Sequence, residues 1–400
     1  MSERSQIVPA PEGEYFETSR FSGLSLLLAG GAVVGLFLCL IGAITSPVQF
    51  SFSWLFGFFY FFTLCCGCLF WTIVHHATDA EWSVVVRRQL ENIALLLFAL
   101  FIFAIPILVL RHHLFEWMNI APGHNASLDS KRQYLNWPFF AFRAFLYFVL
   151  LGGVAFFLRR FSVAQDRDGN PRCTVWMRKV AFAGLPIFGL ALSFAAFDWV
   201  MGLNYRWFST MWGPYIFAGA AGSSMCVLVL IVTALRGAGY LQQVVNMEHY
   251  HIMGKLMLSF VIFWAYIGFS QYMLIWYSNI PEETVYFLRR NTASWWYLSQ
   301  FMVVGHFFVP FLLLLFQRAK KTPTFLCGMA IWILLMHMLD IYIVVLPALH
   351  VAGVRPNPLD FFSLVAIGCT LAAVFLKRLG DSSLFPARDP RLGKSLALKN

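Results

Sequence analysis

Two histidines and three charged residues sit where a lipid-facing chain should carry none. His306, His337, Asp340, Asp198 and Arg143 each fall inside a long apolar run, as do Gln271 and Gln300. An ionisable group at membrane depth costs several kcal/mol unless it is paired or wetted, so each needs a reason. Counted at helical rise from the nearer end of its run, Asp198 lies ~6 Å in, Arg143, Gln271 and Gln300 ~9 Å, and Asp340 ~12 Å. Together they make one polar layer contributed by separate runs. Below it, His306 and His337 lie about twelve and eleven residues in, which brings both imidazoles near the midplane.

Imidazoles beside a carboxyl at that depth are proton-transfer chemistry, because histidine exchanges a proton near neutral pH. His337 and Asp340 are three residues apart and share a helical face. Pro310 follows His306 by four and removes the N–H that would bond the His306 carbonyl, which predicts a kink there. Glu91, one turn inside another run, would open the opposite end of a route through His337 and His306 to Asp340 and Asp198. The neighbouring His75, His76, Asp79, Glu248, His249, His251 and Lys255 read as headgroup-level residues. Other readings compete. Arg143 could pair with Asp198 or Asp340 purely as interhelical glue. The histidines could be silent core residues, or axial haem ligands, although helices about 8–10 Å apart leave little room for a porphyrin.

A second feature lies in FWAYIGFSQYMLIWYSNIPEET, residues 263–284. Tyr266, Ser270, Met273 and Tyr277 recur at four, three and four, forming one helical stripe. Such a stripe suits a ring-shaped amphiphile or a polar contact with another helix. Tyr266, Ser270, Gln271, Tyr277 and Gln300 are therefore the pocket candidates. Asn279 and Pro281-Glu282-Glu283 are expected to stop the helix.

The elements that must position these residues follow from composition. With 60% hydrophobic and 12% charged residues, the chain lacks the charge to cover a water-exposed surface of its size. Its apolar runs are long enough to cross a ~30 Å hydrocarbon layer. Ten spans result: 22–44, 52–78, 88–110, 137–160, 179–202, 212–236, 250–277, 294–318, 323–348 and 359–379. The fold class is thus all-α, a polytopic membrane protein. Residues 1–21 form a polar cytoplasmic segment, 22–379 a ten-helix domain and 380–400 a basic cytoplasmic tail. The first twenty residues lack the basic and apolar regions of a cleaved signal peptide, so the first helix is expected to stay.

Lys and Arg divide 21 to 7 between the side holding both termini and the opposite loops, which places both termini in the cytoplasm. The net charge of +10 follows from that topology and anionic lipid, without nucleic acid. Nine of fourteen tryptophans fall near the outer ends, which predicts an outer surface for a partner. FSWLFGFFY at 52–60 faintly echoes FSTMWGPYI at 208–216, so spans two to five and six to nine could be parallel four-helix repeats. Cys65, Cys66 and Cys68 lie within a span with no second cluster to complete a metal site, and read as helix-packing residues.

Three stretches carry a resemblance. FWAYIGFSQYMLIWYSNIPEET, SFAAFDWVMGLNYRWFSTMWGPYIFAG at 193–219 and HHATDAEWSVVVRR at 75–88 resemble the membrane subunits of alternative complex III, a bacterial quinol:electron-acceptor oxidoreductase. Those subunits belong to the NrfD/polysulfide-reductase membrane-subunit family, and the likeness extends over all ten spans. The resemblance implies two four-helix bundles with flanking helices in the bacterial inner membrane. It implies no metal, haem or iron–sulfur cluster in this chain, and a quinol such as menaquinol as substrate of the whole complex. Expected partners are a larger paralogous subunit (ActC), an iron–sulfur protein and multihaem cytochromes on the outer face, besides lipid. It carries over no catalytic residue, and the chain is not expected to be active alone. A secondary transporter with helices interrupted at Pro106, Pro186 and Pro310, or a purely structural anchor, are the other function classes.

Overall fold

The computed structural model describes residues 13–399; Glu3, Arg4 and Glu12 of the N-terminal segment lie outside the described residues. The chain is 80% helical, with no strand among the described residues. Hydrocarbon offers no hydrogen bonds, so a spanning backbone must satisfy its own, and helices do so. Ten helices are long and apolar enough to cross a membrane: α1 Thr18–Thr45, α2 Pro47–Ala77, α3 Glu81–Val109, α4 Trp137–Asp168, α5 Pro171–Asn204, α6 Trp212–Gly237, α7 Met247–Ser278, α8 Ser294–Leu314, α9 Pro323–Ala348 and α10 Pro358–Leu379. This is a multi-pass membrane protein.

Helix starts are written in asparagine and proline. The side chains of Asn136, Asn170, Asn246 and Asn357 accept from first-turn amides of α4, α5, α7 and α10. Proline opens α2, α5, α9 and α10, where its missing N–H has no intrahelical partner to lose. Gly169 (φ 67°) and Asn279 (φ 49°) close α4 and α7 in the left-handed region. The α4–α5 pair runs farther than the hydrophobic spans 137–160 and 179–202, because helical pattern persists past the apolar block.

Helices α2–α5 pack as one four-helix bundle and α6–α9 as a second; α1 and α10 pair on the flank, with α10 against α2. The bundles meet mainly along α2 and α6. Gly67 permits that crossing: a Cβ there would lie 2.1 Å from the Ala220 carbonyl oxygen and 2.4 Å from Ser224 Oγ.

Two expectations change. Seven of the nine outer tryptophans are buried or half-buried: Trp54, Trp117, Trp137, Trp199, Trp207, Trp212 and Trp295. They form an inner packing layer, with indole N–H groups donating where they can, as Trp54 does to the Phe103 carbonyl (2.9 Å) and Trp295 to that of His350 (2.7 Å). Only Trp276 and Trp296 of the nine are exposed. Residues 380–399, read as a basic tail, dock against the rest of the chain. Leu384, Phe385, Asp389, Leu392 and Ser395 are buried, and the Leu384 amide donates to the Glu14 carbonyl at 2.7 Å.

Candidate functional site

The polar layer divides between the bundles. In the first, Arg143 on α4 grips Asp198 on α5 with two parallel bonds, Nε to Oδ2 and Nη2 to Oδ1, both 2.8 Å. The Tyr147 hydroxyl also donates to Asp198, and Arg143 Nη1 donates to the Tyr134 carbonyl at 3.0 Å. The guanidinium lies over the Tyr134 ring, 3.8 Å from its centre. This carboxylate is paired and enclosed.

Asp340 in the second bundle has no such partner. The Tyr215 hydroxyl of α6 donates to Oδ1, and the Trp264 indole of α7 donates to Oδ2 at 3.0 Å. Both donors are neutral. The Trp264 ring packs at a tilt of 31° against His306, with centroids 4.0 Å apart. Pro310 cannot donate to the His306 carbonyl, and α8 absorbs the missing bond as a π turn over Val304–Phe308, where the Val309 amide reaches back to Val304. The predicted kink is thus a widened turn, which carries His306 against Trp264. His337, one turn below Asp340, meets Thr63 of α2, with Nε2 and Oγ1 2.9 Å apart. The Thr63 hydroxyl donates to the Tyr60 carbonyl at 2.7 Å, so His337 Nε2–H is the donor and its buried Nδ1 is left as an unpartnered acceptor.

Beside this cluster is a cavity of about 630 Å³. Asp340, Tyr215 and Trp264 form part of its wall, with Gln271 and Gln300; Arg290 and Tyr286 from a short helix, Pro281–Arg290, also line it. Helices α7 and α8 pack together from the π turn toward the α8 C-terminus. Over their other half the cavity separates them, and its exposed rim residues Tyr266, Phe269, Trp296 and Phe308 open it sideways at the outer surface of the spanning helices. Its volume lies within the range of pockets for small organic ligands.

Of the pocket candidates, Gln271 and Gln300 line the cavity and Tyr266 stands at its rim. Ser270 and Tyr277 do not line it; Tyr277 is 82% exposed. The buried stripe of α7 is Trp264, Ile267, Gln271 and Ile275, offset from the tyrosine stripe by part of a turn. Hydroxyl spacing alone could not tell which stripe faces inward.

Glu91 faces inward as expected, but as an ion-pair hub with no open mouth. Its carboxylate meets Arg87 and Arg88 (both 3.5 Å), Arg159 (3.2 Å) and the Ser162 hydroxyl (2.9 Å). Arg87 continues to Asp389 and Arg88 to Asp166, both at 2.7 Å. Excess arginine around one acid recruits the chain's C-terminal segment. Among the described residues, no group of three or more His, Cys, Asp or Glu is placed to hold a metal ion.

Tyr215, Trp264, Thr63 and Arg290 escaped the sequence reading. The first three are ordinary apolar-run residues by type. Arg290 had a signal: Pro281, Glu282, Glu283 and Arg289-Arg290 are the proline start, acidic first turn and basic last turn of a helix, a stretch read only for the stop of α7, which does fall at Ser278. Comparison with known proteins returns no matching family model and no curated relative.

Proposed function

We propose that the chain is a membrane subunit of a bacterial alternative complex III, a quinol:electron-acceptor oxidoreductase of the inner membrane, and corresponds to the shorter of its two NrfD-like paralogues (ActF). The cavity holds the quinol ring, and the isoprenoid tail leaves through the gap between α7 and α8. Asp340 accepts the proton of the hydroxyl it faces, and the second hydroxyl proton leaves to water on the outer side as the two electrons pass on. Tyr215 and Trp264 fix the carboxyl, His306 backs the indole, and His337 with Thr63 extends the proton route toward α2. Electrons leave to iron–sulfur and haem centres of partner subunits on the outer face, and the larger paralogue completes the membrane part. Arg143 and Asp198 hold the first bundle in shape.

One observation carries this reading. A buried carboxyl held by two neutral donors lines a lipid-accessible cavity large enough for a substituted ring. Two packed four-helix bundles agree with the resemblance but are equally compatible with a transporter, and the broken α8 favours that second reading.

Native purification separates the two. The respiratory reading expects haem-containing partners to co-purify, and a photoreactive naphthoquinone to label α7 or α8. A chain that purifies alone and shows substrate-dependent flux, with no labelling at the cavity, would sink it in favour of transport.

A further inference from the structure

The cavity has a second pole. Arg290 donates Nε–H to the Ile343 carbonyl (3.0 Å), Nη1–H to that of Tyr286 (3.0 Å) and Nη2–H to that of Val344 (2.9 Å). A guanidinium has five N–H groups, so with three used two remain. It lies 3.5 Å above the Tyr286 ring, and Tyr286, Tyr215 and Arg289 are the titratable groups that surround it. Among the described residues no carboxylate reaches it. The carbonyls at the α9 C-terminus carry partial negative charge and hold the group in place, yet a net positive charge is left facing the cavity. Pinned by three carbonyls, the fork is already oriented before any ligand arrives.

Its position is set against Asp340. From Asp340 to Val344, whose carbonyl Arg290 holds, α9 rises ~6 Å. That is the scale of the span across a six-membered ring from one oxygen to its para partner. The cavity wall therefore carries a proton-accepting carboxyl at one level of α9 and a donor-only cation held to carbonyls about a turn farther along it.

Resting on the quinol reading, we propose that Arg290 is the site's second recognition residue, taking the ligand's distal oxygen as acceptor. The cavity then selects ring amphiphiles with an oxygen at both ends and binds them in one orientation. A ring with a single oxygen is held at Asp340 alone.

The test uses the native complex in lipid nanodiscs, kept reduced and without electron acceptor, with two probes sharing a decyl tail, a 1,4-naphthoquinol and a 1-naphthol that lacks only the distal oxygen. Arg290→Gln should weaken the naphthoquinol at least about tenfold, the loss of one charged hydrogen bond, and leave the naphthol unchanged. Arg290→Lys, which keeps the charge and loses the fork, should fall between and guards against a variant that fails to assemble. Equal weakening of both probes, or of neither, assigns Arg290 to helix packing and overturns the proposal while the quinol reading stands. Failure of both probes to bind the wild-type complex removes the quinol reading and this proposal together. An anionic phospholipid retained by wild type, lost on Arg290→Gln and not displaced by either probe would likewise overturn it.

Discussion

Asp198 and Asp340 occupy the last helix of their respective bundles, and their surroundings give them opposite roles. Asp198 is clamped by a bidentate arginine with a tyrosine hydroxyl added, and Arg143 stacks on aromatic rings. Asp340 receives a tyrosine hydroxyl and an indole N–H, and the cavity lies beside it. A buried carboxylate gripped by arginine on a neighbouring helix serves as a strut. One held by neutral donors can take up a proton without breaking an ion pair. The same residue type at similar depth is cement in one bundle and a chemical group in the other.

Breaking the strut should have the largest effect. Arg143→Met leaves Asp198 uncompensated and is expected to cost about 3–5 kcal/mol of stability, read as a lower melting midpoint in detergent. The double change Arg143→Met with Asp198→Leu should recover most of it. If it does not, the pair does more than hold α4 to α5.

Next comes Asp340→Asn. It keeps an acceptor for Trp264 or Tyr215, so the melting midpoint should stay near wild type. Quinol oxidation by the assembled complex should fall about a hundredfold, the usual worth of a positioned proton acceptor. Equal activity losses per folded molecule for Asp198→Asn and Asp340→Asn would erase the contrast between bundles.

A third prediction sharpens the comparison at the other end of the molecule. Burial alone would raise the Asp389 carboxyl, but hydrogen bonds from Arg391 and the charge of Arg87 outweigh it and hold the group well below the usual carboxylate range. A group depressed in the folded state stabilises at neutral pH, and that stabilisation fades as pH drops below the ordinary value of about 3.9. Hydrogen-exchange protection of residues 382–396 should therefore weaken below about pH 4, and Asp389→Asn should reproduce the loss at pH 7. Unchanged protection in the variant would show that Leu384, Phe385 and Leu392 dock the segment by themselves.

The smallest effect is expected on the outward stripe of α7. Tyr277→Phe should change stability by less than about 0.5 kcal/mol and leave activity intact. A marked loss of assembly with unchanged monomer stability would mean that a partner helix covers this face.

Much of the fold was legible. The ten apolar runs and their asparagine and proline punctuation lie in local pattern, because a hydrocarbon solvent leaves the backbone little choice beyond helices; the division into two bundles rested on a short echo and on the resemblance. The site was legible in kind: Asp340, His306, His337, Gln271 and Gln300 stand out as polar groups in apolar runs. Partnership was not. Nothing in spacing said that Arg143 meets Asp198 and leaves Asp340 to Tyr215 and Trp264, or that Glu91 is surrounded by three arginines and a folded-back C-terminal segment.

By itself, the sequence determined how many helices span and which polar side chains lie at depth, since these depend on composition over a span; it placed helix ends only to within several residues and missed the helix Pro281–Arg290. Only the tertiary structure decided which α7 stripe faces inward, where α7 and α8 part to leave a cavity, and which acid keeps a cation. Those outcomes depend on helix rotation and crossing, set by contacts such as Gly67 against Ala220 that lie 153 residues apart in the chain. Local periodicity carries no information about a contact of that range.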